Sequence, residues 1–154
     1  MEKKELGIAV IGSGRIGTLR ANMAARHPSV RFLAIADKDP ERADNLAESV
    51  TANMSSGDNL EVISHPEVTT IFVSTPEHDH VEAILQAVEL GKPVFVEKPL
   101  ALTVEDADII IAAVEKAGVE LRIGYSRRHD RRWMLTKEQI VQGRVGEIMG
   151  ITSR

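Results

Sequence analysis

The chain has no cysteine, and its 154 residues include only one tryptophan, one tyrosine and three phenylalanines. Without cysteine there is no disulfide framework, no thiolate metal site and no thiol nucleophile, a usage that fits a reducing compartment. With so few aromatics there is no platform on which single-stranded bases could stack. Neither sign of charge dominates: the formal net charge is −4, so the chain as a whole does not attract nucleic acid electrostatically. Long apolar runs are also lacking. Met1-Glu2-Lys3-Lys4-Glu5 is mixed in charge, and the apolar run after it breaks at Gly12, too short for a signal peptide or a membrane span. A cytoplasmic protein with no membrane or nucleic-acid partner is the expectation. Basic residues do gather late: Arg122 to Arg154 carries eight of them against three acidic ones, Asp130, Glu138 and Glu147. A solvated helix face with an interface explains that excess better than a phosphate patch.

What is there starts at residue 8. Ile8-Ala9-Val10-Ile11 is a buried-strand run that feeds into Gly12-Ser13-Gly14-Arg15-Ile16-Gly17. A strand that ends in Gly-x-Gly-x-x-Gly and opens a helix is built to hold a pyrophosphate. The first glycine permits the tight turn, the second lets the backbone approach the phosphates, and the third lets the helix pack on the sheet. The anion sits on the unpaired N–H groups of the helix N-terminus, where the helix dipole favours negative charge. Asp37 closes the next apolar run, Val30 to Ala36, about 20 positions on, where a carboxylate receives the adenosine ribose hydroxyls. Such a carboxylate repels the extra phosphate of NADP, so NAD is the expected cofactor. Lys38 beside it leaves NADP open. Asp39 with Pro40 reads as the cap of the following helix, which frees Asp37 for the ligand.

The remaining pattern alternates strand and helix. Strands are expected at 6–11, 30–36, 70–74, 93–97 and 119–124, and helices at 15–26, 40–50, 80–90, 104–117 and about 131–142, with another strand starting near Gly146. Ala43, Leu46, Ala47 and Val50 form one helical stripe, and Val81, Ile84, Leu85 and Val88 another. Thr103-Val104-Glu105-Asp106 resembles a capping box. This βαβα order predicts an α/β fold, a doubly wound parallel sheet in three α/β/α layers. Thr51 to Val62 is turn-rich where a third strand belongs, so that strand is expected to be degenerate or two to three residues long. The dinucleotide-binding domain is expected to span 1–146.

A second motif, Glu97-Lys98-Pro99, ends the strand at 93–97. In open parallel sheets ligands bind outside the carboxyl ends of the strands, so Lys98 is placed on the same rim as the glycine loop and Asp37. A lysine desolvated beside a cationic nicotinamide has a lowered pKa, suited to moving a proton to or from a hydroxyl, with Glu97 to orient it. The plain alternative is a surface lysine before a proline.

Gly12-x-Gly14-x-x-Gly17, Asp37, Ser74-Thr75-Pro76 with His78 and His80, Gly91-Lys92-Pro93, Glu97-Lys98-Pro99 and the tail around Arg127, Arg128 and Gly143-Arg144-Val145-Gly146 together resemble the Gfo/Idh/MocA oxidoreductases. The resemblance implies catalytic roles for Lys98 and Glu97. It implies cofactor contacts from Gly12, Ser13, Gly14, Arg15, Ile16, Gly17, Asp37, Ser74, Thr75, Pro76, His80, Glu97, Lys98 and Arg128, and no metal. Glu77 and Asp79 depart from the family pattern and add two carboxylates near the cofactor. The resemblance also implies a second, substrate-binding domain, of which 147–154 would be the start. The expected activity is hydride transfer between nicotinamide and a sugar, polyol or cyclitol hydroxyl, and the isolated chain is expected to bind cofactor with negligible turnover. A non-catalytic NAD-binding or redox-sensing module acting with a partner chain is the alternative. A homo-oligomer is compatible with either.

Overall fold

The computed structural model describes residues 5–152, and its chain divides into two compact units, one ending at Gly124 and the other starting at Tyr125. The first unit is built on six parallel strands: β1 (Leu6–Ile11), β2 (Val30–Ala36), β3 (Met54–Ser56), β4 (Thr70–Val73), β5 (Val94–Val96) and β6 (Leu121–Ile123). Their order is β3-β2-β1-β4-β5-β6. The winding reverses between β1 and β4, which opens a crevice at their carboxyl ends where a ligand can enter.

Period-two alternation distributes the strand side chains between two cores. Ile8 and Val10 of β1, with Leu33 and Ile35 of β2, face α1 (Arg15–Arg26) and α2 (Pro40–Val50), where Ala21, Ala24, Ala43 and Leu46 meet them. Ala9 and Ile11, with Ile71 and Val73 of β4 and Val94 and Val96 of β5, face the other way. There they pack on Val62 and Ile63 of α3 (Asn59–Ser64), Ala83, Ile84, Ala87 and Val88 of α4 (His80–Glu89), and Ile110 of α5 (Val104–Ala117). This is the three-layer α/β/α arrangement that the sequence predicts.

Most helix ends are where the sequence signals put them. The Asp39 carboxylate accepts the Glu41 and Arg42 N–H groups to cap α2, with Pro40 at the first position. Thr103 Oγ1 accepts the Asp106 N–H to start α5, and Gly118, with φ of 65°, ends it. The third strand is three residues long, within the two to three expected.

Two local expectations are corrected. The turn-rich stretch 51–62 runs into α3, hidden from sequence because six residues are too few to show a helical period. It is made by its surroundings: Asp58 caps its start, Val62 and Ile63 are fully buried, and Lys92 Nζ donates to the Ile63 and His65 carbonyls at 2.6 and 2.8 Å. The strand expected from Gly146 does not form. Residues 147–152 pair with no strand among the described residues, and a strand without a ladder leaves its backbone groups to water.

The second unit has a short 3-10 turn, Ser126–His129, and α6 (Arg131–Val141), whose start is capped by Asp130 through the Arg132 N–H. Among the described residues of this unit none is fully buried.

Candidate functional site

The three glycines of the first loop do different work. Gly12 has φ of 98°, in the left-handed region that side chains disfavour, and a Cβ there would come within 2.8 Å of the Ser74 and Thr75 backbone. At Gly17 a Cβ would overlap the Gly12 carbonyl oxygen. Packing within the protein therefore demands both. Gly14 is otherwise: its nearest neighbour would be the Arg42 guanidinium at 3.8 Å. Among the described residues nothing needs that position bare, and the ground in front of it is open.

Gly14 is also the N-cap of α1. No side chain caps this helix and no acidic residue stands in its first turn. The N–H groups of Gly14, Arg15 and Ile16 have no acceptor among the described residues. A helix start left with free donors, a bare approach and the positive end of its dipole is an anion cradle. Close by, the hydroxyls of Ser13, Ser74 and Thr75 are buried without a hydrogen-bond partner.

Asp37 follows β2 and stands on the same rim. Its Oδ2 accepts the Ser13 N–H at 2.6 Å and its Oδ1 the Asp39 N–H at 3.0 Å. The Arg42 guanidinium lies 4.0 Å away. The carboxylate is thus fixed by the glycine loop itself, with lone pairs to spare for hydroxyl donors. A cleft of about 520 Å³ runs between Gly12, Gly14, Arg15, Ile16 and Asp37 on one wall and Ser74, Thr75 and Pro76 on the other. Lys38 and Asp79 meet at this cleft, Nζ to Oδ1 at 2.5 Å. The hydrogen bond to Asp79 holds the Lys38 ammonium above its ordinary value. A dinucleotide fits this set: free amides for a diphosphate, a fixed carboxylate for ribose hydroxyls, and a groove to lie in.

The comparisons with known proteins agree. Residues 6–125 match the oxidoreductase family with an NAD-binding Rossmann fold, GFO_IDH_MocA. The chain belongs to the Gfo/Idh/MocA oxidoreductase family. It is 34% identical over 149 residues to the myo-inositol 2-dehydrogenase of Thermotoga maritima, covering 96% of this chain and 45% of that protein. To the NAD+-dependent scyllo-inositol 2-dehydrogenase of Bacillus subtilis it is 32% identical, covering 90% of this chain and 41% of that one. The solved scyllo-inositol dehydrogenase of Lactobacillus casei, with bound NAD(H) and scyllo-inositol, superposes with a TM-score of 0.86 at 25% identity, over 94% of this chain and 43% of that one. The chain therefore spans less than half the length of these relatives.

The Gfo/Idh/MocA residues around β5 lie as follows. Glu97 and Lys98 follow β5, and the Lys98–Pro99 peptide is cis. Lys98 is exposed and pairs with no carboxylate among the described residues. Glu97 is not its partner here: its Oε1 is bonded to the Arg20 guanidinium. Arg20 reaches from α1 across the Phe95 ring, 4.1 Å from its centroid, to make that pair. Gly124 gives the pair room, since a Cβ there would meet Glu97 Oε1 at 3.0 Å and the Arg20 guanidinium at 3.1 Å.

His80 is expected to line the cofactor, but its side chain is completely buried. Its Nδ1 lies 2.9 Å from the Pro99 carbonyl and its Nε2 3.1 Å from the Thr75 carbonyl. It joins the loop after β4 to the loop after β5, so it shapes the cleft from behind. Arg128 belongs to the second unit, where its guanidinium lies over the Tyr125 ring at 5.4 Å.

Sequence reasoning missed Arg20, Arg42 and Asn59. Arg42 and Asn59 line the cleft, and Arg20 holds Glu97. No spacing marks them, because each acts across elements that only the fold brings together. Among the described residues no helix is long and apolar enough to cross a membrane.

Proposed function

We propose that this chain is the cofactor-binding part of an NAD-dependent dehydrogenase acting on a secondary hydroxyl of a sugar, polyol or cyclitol. One observation carries the reading: a glycine kept bare for no reason of packing stands before unpaired helix amides, with a fixed carboxylate on the same rim. The inositol and scyllo-inositol relatives supply the substrate class.

Gly14, Arg15 and Ile16 would hold the diphosphate through backbone N–H groups, and Asp37 the adenosine ribose. Ser74, Thr75 and Pro76 would line the groove towards the reactive ring. Bound there, the cofactor supplies hydride exchange at its nicotinamide. Lys98 Nζ, unpaired with any carboxylate among the described residues, takes a proton from the substrate hydroxyl during oxidation and returns it during reduction. Arg20 holds Glu97 beside it, which makes Arg20 a positioning residue. In this reading the dinucleotide-binding domain runs to about 146, with 147–154 opening a substrate domain, in a cytoplasmic protein.

The test has two parts. Titration of this chain with NADH is expected to show saturable binding, while NAD+ with a panel of polyols yields no NADH. In a longer protein that turns over, Lys98→Ala is expected to cut kcat by about 10²–10⁴, the scale of general acid–base help, with NADH affinity kept. Full turnover by Lys98→Ala would take the proton transfer away from Lys98, and NADH binding without any turnover in the longer protein would instead favour a non-catalytic binding module.

A further inference from the structure

We propose that Asp79 is a cofactor-specificity residue: by engaging the Lys38 amine it withholds that cation from the 2′-phosphate of NADP. The inference rests on the dinucleotide reading above and concerns its adenosine end.

Lys38 directly follows Asp37, the carboxylate placed to receive the ribose hydroxyls. A lysine in that position is the nearest amine for a phosphate on the same ribose. Here it is engaged. Its exposed stem crosses the cleft mouth to the 3-10 turn Glu77–Asp79, where Nζ meets Asp79 Oδ1 at 2.5 Å. The Asp79 side chain is only 14% exposed, so the pair is partly desolvated on the carboxylate side. The other Asp79 oxygen lies 3.6 Å from His78 Nε2, and Glu82 on α4 is a further acidic neighbour of Lys38.

The orientation of Asp79 is not explained by its own helix. It is the N-cap residue of α4, where a carboxylate ordinarily turns back to the first free amides. It makes no such bond and points to Lys38 instead. Two further cations line the cleft: Arg42, which stands 4.0 Å from Asp37, and Arg15 at the start of α1, beside the amides placed for the diphosphate. An entering 2′-phosphate, with a charge of about −1.5 to −2, would meet Asp37 and Asp79 with the amine next to Asp37 already partnered. The unphosphorylated ribose of NAD meets no such opposition.

The experiment compares NADPH and NADH affinities of this chain by fluorescence titration. Asp79→Asn keeps the shape and removes the charge. The ratio of NADPH to NADH affinity is expected to rise about tenfold, the factor that ~1.4 kcal/mol of regained charge pairing gives. Adding Lys38→Met to Asp79→Asn is expected to abolish the rise. An unchanged ratio in Asp79→Asn, or a rise that survives Lys38→Met, overturns the proposal. Asp79→Ala gives the same reading if Asp79→Asn melts early. Failure of the unaltered chain to bind NADH is a separate outcome, seen before any variant is made, and it removes the dinucleotide reading together with this proposal.

Discussion

The two ends of the cleft rim are built on opposite plans. Beside β1 and β2 the polar groups hold one another: Asp37 takes the Ser13 amide, Arg42 faces Asp37, and Lys38 takes Asp79. Beside β5 the amine of Lys98 is exposed and has no carboxylate partner among the described residues, while the groups around it are tied down. Glu97 is bonded to Arg20, and the Pro99 carbonyl to buried His80. The first plan suits recognition, because groups fixed beforehand lose little freedom on binding. The second suits proton transfer, because a charge already neutralised by a fixed partner is not available to a substrate. A rigid frame around one free amine is how a site keeps a reactive group poised.

Substitutions can separate the two plans, and their expected effects span a wide range. Gly17→Ala should be the most damaging, because its methyl overlaps the Gly12 carbonyl and α1 must leave the sheet. A loss of about 4 kcal/mol or more is expected, read as the absence of a cooperative melt. His80→Phe comes next. It keeps the volume but removes the ring N–H that one of the Thr75 and Pro99 carbonyls accepts, at a cost of about 1–3 kcal/mol in urea unfolding. It should also weaken NADH binding, since the Thr75 loop lines the cleft. A variant that melts normally would show that His80 is filler and not a strut.

Gly14→Ala sharpens the contrast from the other side. Its backbone, at φ −71° and ψ −172°, suits alanine, and its methyl meets only Arg42 at 3.8 Å. The melting temperature should hold or rise slightly, while NADH affinity falls about tenfold, equivalent to ~1.4 kcal/mol. Intact affinity would mean that no ligand approaches Gly14. Lys92→Met is the smallest and lies outside the cleft. It removes the two bonds that close α3, for a loss of about 1 kcal/mol, and should leave NADH binding untouched.

How much of this could be read in advance differs by residue. The glycine loop, Asp37 and the strand tips were legible because each signal is local: a glycine spacing, an apolar run, a carboxylate at a fixed distance. The boundaries of β1, α1, β2 and α2 coincide with the expected ones for the same reason. The partner of Glu97 was not legible. Sequence adjacency pointed to Lys98, but the pair is made by Arg20, 77 residues earlier. His80 was legible as important and misplaced in kind, since burial is a property of the packed molecule.

The sequence by itself determined the alternation of strand and helix, the parallel sheet and the cradle at the start of α1. Hydrophobic period, capping residues and glycine spacing act within a few residues of one another, and a chain carries them wherever it goes. Only the tertiary structure decided α3, the link through His80, and the pairings of Arg20 with Glu97 and Lys38 with Asp79. Each of these joins residues far apart in the chain. Their geometry exists only after the sheet has set the distances between its loops, because a hydrogen bond is satisfied across tenths of an ångström and not by spacing along a sequence.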